Sequence, residues 1–145
     1  RDLFVTPEIH AVAHPPFADT ELGVRQAALA AYFDAYCERN EMTVSQNPRK
    51  KPWDTMLARV DPPETQFWSM RITDPEDSPG MRVLGGFCWT DGFVALTFDY
   101  REKIGTDFDG KVNEIAAAWN DYFGQIGPHR GETMDAYLTG YYEYK

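Results

Sequence analysis

From Phe108 the apolar residues recur at Val112, Ile115, Trp119 and Phe123, spacings of 4, 3, 4 and 4 that place them on one face of a helix. Thr106 or Asp107 supplies a cap at its start and Gly124 a stop, so the pattern predicts a helix over about 107–123. A second helical pattern opens at Thr20, a good N-cap with Glu21 in the first turn, and runs through Leu22, Leu29, Phe33 and Cys37, widened by Ala28, Tyr32 and Tyr36. Small residues at Ala27, Ala28, Ala30 and Ala31 favour a helix over about 20–40 that lies close to a sheet. Between the two the period changes to 2. Thr65–Ile72 alternates Phe67, Ser69 and Arg71 against Trp68, Met70 and Ile72, which predicts a strand. The run TDPEDSPG is a dense turn signal, and Met81–Trp89 and Phe93–Tyr100 read as two further strands. Gly85-Gly86 marks a bulge or a close approach of backbone, and Thr90-Asp91-Gly92 a three-residue hairpin with the glycine in the left-handed position.

The remaining stretches are weaker in pattern. Ile9 to Ala13 predicts a short strand that Pro15-Pro16 ends; EMTVSQNPRKKP predicts a polar connection or short helix stopping before Pro48; WDTMLARV predicts one or two helical turns before Asp61-Pro62-Pro63. A last helical turn is predicted around Thr133–Leu138, after which Tyr141, Tyr142 and Tyr144 join Tyr137 as rings packed on the edge of the domain. The sum is an α+β fold: a small antiparallel meander sheet of three to four strands, packed by the helices at about 20–40 and 107–123. It forms a single domain over 1–145, with 125–145 a Tyr-rich C-terminal extension.

Composition narrows the function. With 145 residues, 43% hydrophobic and 14% aromatic, the chain can bury a core of large rings without metal or disulfide. Cys37 and Cys88 show no metal spacing and read as reduced and packed. No run is long enough to span a membrane, and a soluble cytoplasmic protein is expected. A net charge of −9 argues against broad nucleic-acid binding, so DNA is not expected as a partner. The charge is uneven: residues 21–60 hold 6 Lys+Arg against 5 Asp+Glu, and residues 61–100 hold 2 against 7. Arg49, Lys50 and Lys51 form the only dense cationic run, read first as a solvated loop entering Pro52. His10 and His14 have the i, i+4 spacing of a helical metal pair, but the prolines oppose a helix and no third ligand completes a site. Neither a metal nor a cofactor is expected, and no phosphate-loop or nucleophile motif is present.

Two arginines carry what chemistry there is. Arg71 ends the first meander strand and Arg82 begins the second, so they meet across the turn at one end of the sheet. Two cations held together need an anion. An internal one, from Asp74, Glu76, Asp77 or Asp99, is the more economical reading, because residues 61–100 hold seven carboxylates. The other is a phosphate, which arginine recognises bidentately.

Trp68-Ser69-Met70-Arg71, Met81-Arg82-Val83-Leu84, the Asp91-Gly92 hairpin and the strand end at Phe98, followed by a helix, resemble the RelE/ParE-like toxin superfamily, including its HigB and phage branch. The resemblance covers 67–123 in motif and about 8–124 in order of elements. It implies a toxin-like, metal-independent endoribonuclease in which Arg82 contacts the scissile phosphate, Arg71 holds or orients it, and Tyr100 is a proton-transfer partner. Arg101 and Lys103 stand where the family carries basic residues after the third strand, and Arg49, Lys50 and Lys51 would add RNA contacts. RNA and a protein partner, antitoxin-like or another complex subunit, are the implied partners. Asp99 and Glu102 within DYREK, and the acidic whole, depart from the family. A reading of another class is an acidic, non-catalytic protein-interaction module or accessory subunit.

Overall fold

Seven strands form one mixed sheet in a computed structural model of the chain, which describes residues 1–76 and 78–144. In chain order they are β1 (Asp2–Val5), β2 (Met42–Ser45), β3 (Leu57–Arg59), β4 (Phe67–Ile72), β5 (Met81–Trp89), β6 (Gly92–Tyr100) and β7 (Tyr141–Glu143). The helices are α1 (Pro7–Ala13), α2 (Glu21–Cys37), α3 (Arg101–Ile104) and α4 (Phe108–Phe123). The sheet order is β1-β6-β5-β4-β3-β2-β7, curled into a half-barrel. Antiparallel β3-β4-β5-β6 form its centre, while β1 lies parallel to β6, and β2 parallel to both β3 and β7. The expected small antiparallel meander of three to four strands is therefore corrected to a larger mixed sheet.

Each added strand replaces a specific expectation. Ile9–Ala13 is helical and not a strand: Thr6 accepts a hydrogen bond from the Ile9 amide at 3.4 Å and Pro7 occupies the first helical position, where its missing N–H is no loss. The strand of this region lies earlier, at β1. The connection at 41–52 contains β2, and the predicted turns at 53–60 contain β3. Both are short, and both are fixed by their partners, β2 by β7 far along the chain and β3 by the neighbouring β4. The C-terminal segment is integral to the fold: Met134, Tyr137 and Leu138 are fully buried, and β7 completes one sheet edge.

Two cores lie on opposite faces of the sheet. On one, α1, α2 and the 134–138 segment cover Trp68, Met70, Ile72, Val83, Phe87 and Phe93. On the other, Val112, Ile115 and Trp119 of α4 cover Phe67, Leu84, Val94 and Leu96. α2 buries Leu29, Tyr32, Phe33 and Tyr36 as expected, but its stripe includes Gly23 and Arg25 and leaves Leu22 and Cys37 exposed. A Cβ on Gly23 would stand 1.8 Å from the Ala18 carbonyl oxygen, so the incoming loop folds against this turn and sets the rotation of the helix. A bulge does fall at Gly85, where the register shifts between Leu84 and Gly85 and Leu96 of β6 is the extra residue, and a Cβ on Gly85 would stand 1.8 Å from the Val94 carbonyl oxygen. At the β5–β6 hairpin the left-handed residue is Asp91, φ 64°, and not Gly92. Its carboxylate accepts from the Thr139 amide and hydroxyl at 2.8 and 2.7 Å, tying the hairpin to the C-terminal segment. Among the described residues no helix is long and apolar enough to cross a membrane.

Candidate anion-binding site

α4 covers only part of its face of the sheet. Alternation along β4 sends Phe67, Ser69 and Arg71 to that face, with Phe67 under α4 and the other two beyond it. Arg71 pairs in register with Arg82 of β5, so two guanidinium stems rise side by side from the uncovered sheet. Like charges directly opposite on a sheet repel, which makes this an expensive arrangement unless something offsets it.

No carboxylate among the described residues does so. The cross-strand neighbour of Arg82 on β6 is Asp99, but its Oδ2 accepts from Lys111 at 3.1 Å. Glu102, the other acid of DYREK, pairs with Arg25 of α2, whose Nη1 and Nη2 reach its two oxygens at 2.6 and 3.1 Å. Asp74 and Glu76 border the arginines without an ion pair, and Asp77 lies outside the described residues. Arg71 donates through Nη1 to the carbonyls of Pro52 and Thr55 at 2.9 and 3.2 Å, and Arg82 through Nη1 to that of Met81 at 2.8 Å. The Nε and Nη2 groups of both are left without a partner among the described residues.

Two more cations join them. Arg101, at the start of α3, and Lys51, in the loop between β2 and β3, line the same hollow of about 400 Å³, with Ser69 on its floor and Asp61, Phe108 and Asp109 on its walls. The Ser69 hydroxyl is buried and has no hydrogen-bond partner among the described residues. Desolvation, with Arg71 and Arg101 behind it, pushes the Arg82 guanidinium down to about 10. Arg71 is lowered by desolvation, with Arg101 adding to the effect, and Lys51 by desolvation at the pocket wall and then by Arg71 and Arg82, although the residue as a whole is exposed. Cations that depress one another, above an orphaned buried hydroxyl, form a site complementary to an anion.

Of the residues singled out from the sequence, Arg71, Arg82, Arg101 and Lys51 come together here. Tyr100 and Lys103 do not. Tyr100 pairs with Met81 and packs in the α2-side core, with the Arg25 guanidinium 4.3 Å and the Lys103 ammonium 5.4 Å from its ring centroid. It is on the opposite face of the sheet from Arg71 and Arg82, which corrects its placement beside the phosphate. Arg49 lines a separate hollow with Asp61 and Glu64, and Lys50 is exposed. Ser69 and Trp53 were not singled out by sequence reasoning. Ser69 stands two residues before Arg71 on one strand face, and Trp53 follows Pro52 in an otherwise polar loop. His10 lies in α1 and His14 just past its end as the C-cap, their ring centroids 5.1 Å apart, yet no group of three or more His, Cys, Asp or Glu among the described residues is arranged to hold a metal.

The Arg25–Glu102 pair anchors α3, and thereby Arg101, from the other face. Arg25 Nη2 also donates to the Gly80 carbonyl at 2.7 Å. The hydrogen bond from Arg25 holds the Glu102 carboxyl down to about 2, against an ordinary 4.5. A depressed carboxyl contributes stability that is present above its unfolded pKa and is lost as pH falls through the folded one. The thermal midpoint of the wild type is therefore expected to fall more steeply between pH 4.5 and 2 than that of Glu102→Gln. Parallel pH profiles would show that the pair contributes nothing.

Comparison of the chain with protein-family models, with curated proteins and with solved structures returns no match.

Proposed function

We propose that the protein binds RNA through a backbone phosphate seated among Lys51, Arg71, Arg82 and Arg101, and acts on it as a toxin-like, metal-independent endoribonuclease. The observation that carries the reading is the arginine pair with no carboxylate partner among the described residues. Topology does not carry it, since the seven-stranded sheet differs from the small meander that the toxin resemblance implies. In this chemistry a ribose 2′-hydroxyl attacks the adjacent phosphorus, a 2′,3′-cyclic phosphate forms and the 5′-oxygen leaves. Arg71 and Arg82 stabilise the charge that develops on the phosphoryl oxygens. Asp61 or Asp109, on the pocket wall, takes the proton of the 2′-hydroxyl, and Lys51 gives one to the leaving oxygen, a role its lowered pKa suits. Tyr100 has no part in it.

Binding is tested with a short fluorescent single-stranded RNA titrated at several salt concentrations. Three or four phosphate contacts give a slope of log affinity against log salt of roughly −2 to −3, at about 0.7 per contact, and Arg101→Ala should remove about one contact's share. Cleavage is read in EDTA from the appearance of cyclic-phosphate ends, and a fully 2′-deoxy strand should resist. A flat salt profile with no RNA bound would defeat the proposal.

A second reading, a non-catalytic protein-interaction module, is favoured by one observation. Phe4, Trp89 and Tyr122 are 45%, 49% and 60% exposed and line an apolar groove of about 280 Å³ beside the edge strand β1. It gains if RNA does not bind.

A further inference from the structure

Trp53 is 73% exposed, the most exposed of the exposed tryptophan and phenylalanine side chains. Its backbone is nonetheless fixed. The Thr55 amide donates to the Pro52 carbonyl at 3.0 Å, closing a turn with Trp53 at its first corner. Arg71 Nη1 holds the carbonyls at both ends of that turn. The Thr43 hydroxyl holds the Asp54 carbonyl at 2.7 Å and the Tyr144 hydroxyl the Asp54 carboxylate at 2.7 Å. Among the described residues no aromatic ring stacks on it and no cation lies over its face. A large ring held on a rigid turn, with its face in water, is preorganised to receive a flat partner.

What stands beside it identifies the partner. Trp53 lines a second hollow, of about 460 Å³, together with Arg71 and Arg82, so the arginine pair forms a ridge between this hollow and the cationic one. The walls on the Trp53 side include Asp74 and Glu76, which repel a phosphate but accept hydrogen bonds from base amino groups. The side with Lys51 and Arg101 favours the phosphate. Each hollow carries two carboxylates and shares the arginine ridge, and the two differ by Lys51 and Arg101, which give the first its excess of positive charge.

We infer that Trp53 is the stacking platform for an unpaired base whose phosphate lies against Arg71 and Arg82, so that the ligand is single-stranded RNA and not a duplex, whose bases are already stacked. The inference rests on the phosphate reading above and adds the base subsite. Stacking is tolerant of sequence because every base has a π face, and Arg71 couples the two halves by holding the Trp53 turn with one nitrogen and facing the ligand with the others.

The test compares guanosine 5′-monophosphate with ribose 5-phosphate, which lacks the base, by calorimetric titration at low salt against the wild type, Trp53→Ala and Trp53→Phe. The wild type should bind the nucleotide about 10-fold or more tightly than the sugar phosphate. Trp53→Ala should bring the nucleotide down to the level of the sugar phosphate and leave the latter unchanged, while Trp53→Phe keeps most of the preference. All three should show one melting temperature, since the side chain is exposed. Equal affinities in the wild type, or an unchanged preference in Trp53→Ala, would overturn the base subsite while the phosphate site stands. No binding of either compound by the wild type would overturn the phosphate reading and the subsite with it.

Discussion

Trp119→Ala is expected to lower the stability of the fold by about 3–5 kcal/mol, the range for removing a buried aromatic ring. Trp119 is 4% exposed and fills the space above Gly86, where a Cβ would come within 3.2 Å of its ring. It packs on Phe123 and Phe67 at centroid distances of 4.4 and 6.2 Å. Its indole N–H donates to the Ile126 carbonyl at 2.7 Å, so truncation also frees the turn after α4. Only Val112 and Ile115 accompany it as buried residues of this helix, and Trp119 thus makes a large part of the attachment of α4 to the sheet. Urea unfolding should show a lower midpoint at constant slope, and Trp119→Phe a smaller loss because it restores most of the volume. A shift under about 1.5 kcal/mol would mean that the helix is held elsewhere.

That helix was legible because its information is local: five apolar residues at regular spacing, an Asp cap and a Gly stop suffice. β5 was legible for a similar reason, since nine residues bounded by turn signals have few alternatives. β1, β2, β3 and β7 were not. They have three or four residues each, and what makes them strands is a partner up to a hundred positions away, as when Met42–Val44 pairs with Tyr141–Glu143. Parallel pairing hides β1, β2 and β7 further, because no hairpin turn joins the partners. Pro7 and Pro15-Pro16 illustrate another limit: one proline begins α1 and the pair follows it, but from sequence both read as reasons against a helix.

The arginine pair was legible in position, but among the described residues the carboxylates expected to neutralise it do not pair with it. Register across a turn follows from strand period, which is why Arg71 and Arg82 were placed together. A count of nearby carboxylates cannot say which cation each one faces, and here Asp99 turns to Lys111 and Glu102 to Arg25. Tyr100 took its expected place from the family resemblance and not from strand register. In the register of β5 and β6, Tyr100 lies opposite Met81, and so falls on the other side of the sheet from the residue that follows Met81.

Arg82→Met should separate function from stability in a way no structural arginine would. The guanidinium is desolvated, faces Arg71 in register, and has no carboxylate partner among the described residues. Its folded pKa is pushed below the ordinary guanidinium value to about 10, so the folded chain holds that proton less well than the unfolded one. The penalty is complete below about 10 and would fade only as pH rises from there toward the ordinary guanidinium value. At pH 7 removing the charge while keeping an apolar stem relieves it, so the melting temperature is expected to stay level or rise. The charge-assisted bonds to phosphate disappear, a loss of about 1.5–3 kcal/mol, or roughly 10- to 100-fold in RNA affinity. Arg71→Met makes the contrast: it loses two hydrogen bonds to the turn that carries Trp53, and should weaken RNA binding and lower the melting temperature together. Functional sites commonly hold such unfavourable charge in the absence of their ligand, and removing it stabilises the protein at the expense of activity. If Arg82→Met melts well below the wild type while binding RNA equally, the arginine is a structural element and the pocket does not hold a phosphate.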